Sequence, residues 1–415
     1  MADLPDEGNR LEAPSARRIS PGLMLVLGYI SMAGSLSTDL YLPAFPDIAE
    51  DLGVGASTVQ LTLTALLAGS ALGQLLIGSV SDALGRRRTL VVALTLFALC
   101  CYLAAVSPTI QVLILVRGVQ GFAGASGTVL ARAVIADLVD HVQAVRAFST
   151  IFVMIALGPA VASPLGALLT QVGGWRVALL GLAVLATGML VVAALFVPES
   201  LPVERRHPFT VGTLARNIGR LLRHPVFMGY AIAFGAGYAA LMVYISSSSF
   251  IVQEVLGITP LGYGLTFSLS SVSVMAGAWL NGVIAHRIGA PVTLRIAQSL
   301  QALAAAAGVA LTITDTLTLT TYLIVVSAFA MGCGSVMSSA SALAVGEARA
   351  AAGAGSALVG FTQFVFGALA SPLGGIAGTQ TALPAMTAMT CFAVLGLASA
   401  WFAGSRARAR ARAPR

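Results

Sequence analysis

Long apolar runs, each interrupted by a short polar or turn-forming segment, repeat from Ile19 to Trp401. They lie near 20–42, 57–80, 88–106, 109–132, 146–170, 175–197, 225–252, 260–284, 291–313, 317–343, 352–378 and 383–404. A helix rising about 1.5 Å per residue needs roughly twenty apolar residues to cross some 30 Å of hydrocarbon, which is the length of these runs. Barrel strands need only about 9–11 residues and alternate steadily in polarity, a period the runs do not show. The pattern predicts an all-α integral membrane protein with twelve transmembrane helices.

The chain is 57% hydrophobic and 9% charged, whereas an ordinary soluble domain is about 25% charged. All 23 basic residues are arginine. Positive charge collects on cytoplasmic loops. Arg10, Arg17 and Arg18 precede the first run, Arg86–Arg88 follow the second, Arg205–Arg223 follow the sixth, and Arg406–Arg412 close the chain. All of these share one side if both termini are cytoplasmic. The opposite side holds Arg176 among the acids Asp47, Glu50, Asp51, Glu254 and Asp315. The net charge of +7 is thus explained by a membrane face against anionic lipid, and no nucleic-acid partner is expected. The polar first twenty residues lack the apolar core of a removable signal peptide.

Cys100, Cys101, Cys333 and Cys391 sit in apolar runs without metal-like spacing and read as small core side chains. The spans show no cluster of metal ligands, no nucleophile beside a base and no Gly-x4-Gly-Lys-Ser/Thr loop. The reading is a non-enzyme with no cofactor, driven by an ion gradient.

The polar segment 199–224 divides the chain. Residues 1–198 form one expected six-helix bundle, 199–224 a cytoplasmic connector, 225–404 a second bundle and 405–415 a basic cytoplasmic tail. The bundles are pseudo-symmetric. Gly78-Ser-Val-Ser-Asp82-Ala-Leu-Gly85, followed by Thr89-Leu90, is echoed by Gly282-Val-Ile-Ala-His286-Arg-Ile-Gly289 and Thr293-Leu294 at an offset of 204, and Ala162-Ser-Pro-Leu-Gly166 recurs as Ala370-Ser-Pro-Leu-Gly374 at an offset of 208. A parallel repeat of this kind belongs to transporters that rock two halves about a midplane site.

The segment Gly78–Thr89 allows a tight reversal at Gly78 and Gly85, with Asp82 placed to pair with an arginine such as Arg86 or to cap a helix. It resembles the loop 2–3 signature of the major facilitator superfamily. Further resemblances follow in order: Arg117-Gly-Val-Gln120-Gly121 to the helix 4 motif, Gly158-Pro159 through Pro164-Leu-Gly166 to the helix 5 motif of antiporters, and Gly174-Trp175-Arg176 to the start of helix 6. Ser37-Thr38-Asp39-Leu-Tyr41-Leu-Pro43 and Tyr244-Ile-Ser246 through Ser249-Phe250 are similar to the bicyclomycin and chloramphenicol resistance (Bcr/CflA) group of drug-proton antiporters. The resemblance implies alternating access, with Gly78, Asp82, Gly85, Arg86, Gly158, Pro159, Pro164 and Gly166 serving conformational change. It also implies a bacterial inner-membrane protein, working as a monomer, whose partners are protons, lipid and a small drug.

Asp39 and Arg117 are the charges placed inside spans, where each is costly unless it meets a partner or a wet cavity. A carboxyl group withdrawn from water holds its proton more tightly, which suits a proton carrier. The plainer alternative for Asp39 is a wet outer helix end before Pro43. Arg117 cannot lose its proton and needs acids, carbonyls or water. Motion relative to Asp39 would release or recapture a proton, whereas a fixed structural hub joining helices 1 and 4 is the alternative, with Gln120 as a partner. Some relatives carry a second acid in helix 1 where this chain has Ser31. Tyr41, Gln120, Met154, Tyr238 and Tyr244 are the expected substrate contacts, with Phe152, Phe361 and Phe364 as further apolar candidates. The expected function is proton-coupled efflux of small amphipathic antibiotics, against a metabolite permease or a non-transporting receptor on the same fold.

Overall fold

The computed structural model describes residues 20–138, 141–206, 211–348, 352–376 and 381–412. Among them fourteen α-helices follow one another: α1 (Pro21–Ser31), α2 (Ala33–Asp39), α3 (Phe45–Asp51), α4 (Ala56–Leu84), α5 (Arg86–Ala105), α6 (Ile110–Leu138), α7 (His141–Phe196), α8 (Val211–Leu222), α9 (Pro225–Phe250), α10 (Pro260–Ile288), α11 (Ala290–Ile313), α12 (Leu319–Glu347), α13 (Ala352–Ala370) and α14 (Leu383–Arg412). Ten helices among the described residues are long and apolar enough to cross a membrane, or eleven with the bent pair Pro21–Ser31 and Ala33–Asp51 taken as one. At about 1.5 Å per residue the 56 residues of α7 would reach roughly 84 Å, far beyond a single crossing. Gly174, at φ +70°, breaks α7 into two passes, which raises the eleven to the expected twelve.

Small residues bring the helices into backbone contact, since helices in lipid have no hydrophobic drive to associate and rely on close packing. On α4, a Cβ at Gly69 or Gly73 would strike the carbonyls of Gly118 and Phe122 on α6, and one at Gly121 would strike that of Leu66. The pair α10 and α12 repeats the device, with Gly277 against the Met331 carbonyl and Gly334 against that of Val274.

Two local expectations change. Gly78 makes no reversal: it lies within α4, and the chain turns at Gly85 alone, at φ +98°. Gly289 does the same between α10 and α11 at φ +84°. The run near 352–378 stays α-helical only to Ala370 and then tightens into a 3-10 turn, Ser371–Gly375. Pro372 lacks an N–H and disfavours the helical conformation of the residue before it. The basic segment after 404 continues α14 through Arg412.

Candidate functional site: a buried arginine hub and an acid at the seam

Arg117 lies on α6 with no exposed surface. It donates to the Ser37 carbonyl of α2 at 2.7 Å and to Gln120 Oε1 at 3.1 Å, and its guanidinium lies 4.3 Å from the centre of the Tyr41 ring. Gln120 in turn donates to Ser37 Oγ at 3.4 Å and to Cys101 Sγ at 3.2 Å. The Tyr41 and Thr62 hydroxyls share a hydrogen bond at 3.0 Å. One cation thereby ties α2, α4, α5 and α6 together. Carbonyl oxygens and an aromatic face meet the charge, its Nε has no hydrogen-bond partner among the described residues, and none of those residues pairs an acid with it.

Asp39 is buried, at 3% exposure, so it is not at a wet helix end. Among the described residues it forms no salt bridge, and Arg117 is not its partner. The reason is helical geometry. Ser37 and Asp39 are two residues apart, so their side chains project about 200° from each other around α2. The Ser37 hydroxyl faces Gln120, beside the arginine, and Asp39 projects to the other side of α2. Tyr238, Tyr244 and Tyr263, all beyond the connector, lie within electrostatic reach of its carboxyl group.

Of the other expected contacts, Tyr244 donates to Ser270 Oγ at 2.7 Å and stacks on Phe267 with ring centres 6.1 Å apart. Tyr238 meets Phe364 edge-on at 6.0 Å. Met154 fills the space that a Cβ at Gly28 would take, which makes it a packing contact between α7 and α1. The side chain of Phe152 lies outside the described residues.

Around this centre the helices before and after the connector meet at the end of the bundle remote from the chain termini. Gln60 Nε2 donates to the Ser246 carbonyl at 3.1 Å, Ser371 Oγ to the Gln60 carbonyl at 3.4 Å, and Ser246 Oγ to the Ser371 carbonyl at 2.7 Å. Gln253 Nε2 donates to the Pro43 carbonyl at 3.1 Å, Ser268 Oγ to the Ala160 carbonyl at 2.8 Å, and Phe45 meets Phe250 at 6.0 Å. Pro164 fills the space beside Gly264, while Gly158 and Gly166 lie against Ser35 and the Leu40 carbonyl, so α7 packs on α2 and α10 at once. Pro159 lies within the same stretch of α7.

At the opposite end Arg86 is the centre of a second polar knot. Its guanidinium bridges Asp82 at 2.6 Å and Asp137 at 3.0 Å, and its backbone N–H donates to Glu199 Oε1 at 2.9 Å. Glu199 so takes the place of a side-chain cap on α5, whose flanking Gly85 has none to offer. Ser200 donates to Asp137 at 2.9 Å, and Arg206 faces Glu199 at 3.7 Å. Gln60, Asp137 and Glu199 were not among the expected residues. The signal for the last two is that acids are scarce on an arginine-rich face; Gln60 is one amide in an apolar run and carries no signal.

Long apolar helices in two sets, with a buried cation and a buried acid where the sets meet, are the architecture of a secondary transporter. Residues 25–372 match the Major Facilitator Superfamily, and the chain belongs to that family. It is 35% identical over 376 residues to the uncharacterized MFS-type transporter YdgK of Bacillus subtilis, covering 90% of this chain and 93% of that one. It is 30% identical over 283 residues to the bicyclomycin resistance protein homolog of Haemophilus influenzae, covering 68% and 71%. Its fold matches that of a bacterial homolog of the human lysosomal transporter Spinster, in an inward-facing and unoccupied conformation, with a TM-score of 0.72 at 14% identity over 94% and 98% of the two chains.

Proposed function

We propose that this multi-pass transporter exports small amphipathic drugs in exchange for protons, with both termini in the cytoplasm of a bacterium. The observation that carries the reading is Asp39, a buried acid that forms no salt bridge among the described residues and lies within electrostatic reach of tyrosines of the other helix set. An acid held inside the bundle takes up or releases its proton when its surroundings change. Alternating access supplies that change. In the conformation seen, the remote end is closed by the Gln60, Ser246 and Ser371 bonds, so the site would communicate with the termini side. Arg117 keeps its charge throughout and fixes α2 to α6, so that Asp39 moves with a rigid first half. The similarity to a bicyclomycin resistance protein homolog supports drug as the substrate class.

The test uses purified protein in liposomes. Adding chloramphenicol-like or bicyclomycin-like compounds to the wild type should release protons, and Asp39→Asn, equally well incorporated, should release none. Equal release from both proteins would remove Asp39 from the coupling step. A resistance panel in a pump-deficient bacterium then identifies the drugs.

A further inference from the structure

On the outer wall of the second helix set, α11 and α14 enclose an open groove of about 580 Å³ lined by Val292, Arg295, Ile296, Leu300, Leu303 and Trp401, with Ser299 between. We propose that this groove binds one anionic phospholipid from the leaflet on the side of the chain termini.

Two ridges of α11 form its floor. Val292, Ile296 and Leu300 are spaced four apart, as are Arg295, Ser299 and Leu303, so each row runs along one side of the helix. Leu303 is 70% exposed and Ile296 55%. It lies eight residues beyond Arg295, about 12 Å further toward the middle of the membrane. Arg295 stands five residues into α11, which starts at the termini end after the Gly289 turn. Its guanidinium lies 4.5 Å from the centre of the Trp401 ring, and its Nε is spent on the Pro291 carbonyl at 3.1 Å. The cation is therefore held at the mouth of the groove with its terminal nitrogens available, in the forked geometry that suits a phosphate. Tryptophan prefers the headgroup level of a membrane, which agrees with that depth. The acid Glu347, at the end of α12, faces Arg410 at 3.9 Å.

A phosphate at the mouth and acyl chains along the leucines satisfy both parts of the groove. A second copy of this chain docked face to face would instead bring arginine against arginine. At the repeat offset of 204 the counterpart of Arg295 is Val91, so this arginine is not repeated in the first helix set.

The experiment is native mass spectrometry of the purified full chain with dioleoyl phosphatidylglycerol, dioleoyl phosphatidylcholine and glycerol 3-phosphate, each alone. The expected result is one phosphatidylglycerol retained about tenfold more strongly than phosphatidylcholine, with no retention of glycerol 3-phosphate. Arg295→Gln should abolish that preference and Arg295→Lys should keep part of it. Leu303→Asn should weaken both lipids together, and it preserves the test if the arginine variant does not fold. Equal retention of the two lipids by the wild type, an undiminished preference in Arg295→Gln, or retention of glycerol 3-phosphate as strong as that of the lipid would each overturn the proposal.

Discussion

The helices on the two sides of the connector use the same packing devices but fill their interiors with different chemistry. At the repeat offset of 208 the counterparts of Asp39 and Arg117 are Ser247 and Val325, both buried. Where the first set holds an acid and a permanent cation, the second holds hydroxyls and amides: Tyr244 on Ser270, Tyr263 with Ser248, and Gln301 on Cys333 at 2.7, 3.0 and 2.9 Å. A neutral hydrogen-bond network rearranges at little cost, whereas a buried charge must carry its partners with it. This difference is what the proposed division rests on, with proton coupling in the first set and an adaptable wall in the second. It is open to attack from either side.

The largest effect should come from Arg117→Lys. Lysine keeps the charge but is a point donor on a flexible stem, unable to serve Ser37 and Gln120 together while lying flat on Tyr41. Each buried polar group left unpaired costs about 1–3 kcal/mol, so resistance should be lost even where membrane levels are normal. Drug susceptibility with an immunoblot of the membrane fraction checks this; full resistance would mean that charge alone suffices. Next is Asp137→Asn, which removes an ionic partner from the nearly buried Arg86 side chain. Hydrogen bonds to charged groups are worth about 1.5–3 kcal/mol and solvent at Asp137 reduces this. Transport should fall severalfold, read as initial efflux rate, with Asp137→Glu restoring part of it. Gln60→Ala should act more weakly, since it deletes one neutral bond of the remote seam, worth about 1 kcal/mol, or roughly fivefold in the ratio of closed to open forms. Spin labels at the exposed Glu50 and Glu254 would report a larger share of long distances; an unchanged distribution would show that the seam is held elsewhere.

What the sequence could tell depended on how far each feature acts along the chain. Apolar runs disclosed the passes because hydrocarbon demands length and apolarity at every position, and Arg117 disclosed its own burial by depth in such a run. Side-chain partnership did not follow, because it depends on rotation: the Ser37 hydroxyl turns to Gln120 beside the arginine, and Asp39, two residues on, turns to the other side of α2. The pentapeptide Ala-Ser-Pro-Leu-Gly makes the same point. Within α7 it stays helical, while at 370–374 it ends α13 in a 3-10 turn whose Ser371 bonds to Gln60. Identical residues take different local structures because their neighbours across the seam differ. Asp137 and Glu199 were hidden for a related reason, as the end of α6 and the segment after α7 that only the folded bundle brings to Arg86.

The smallest effect, and the sharpest test of the second helix set, should come from Tyr244→Phe. The hydroxyl donates to Ser270, but Ser270 also donates to the Thr266 carbonyl at 3.2 Å, so removing the phenol leaves no buried donor stranded. The ring keeps its stack on Phe267 and its tilted contact with Phe329 at 6.2 Å. A single neutral bond of this kind is worth about 1 kcal/mol, and most of the aromatic contribution survives. Stability should therefore hardly change, while the order of preference among drugs shifts by a few fold, compound by compound, because polar drugs lose a contact that apolar ones never used. Proton release per drug exported should stay at the wild-type ratio. If Tyr244→Phe instead uncoupled protons from drug, the phenol would belong to the proton path with Asp39, and the division of labour between the two helix sets would fail at the residue where they come closest in chemistry.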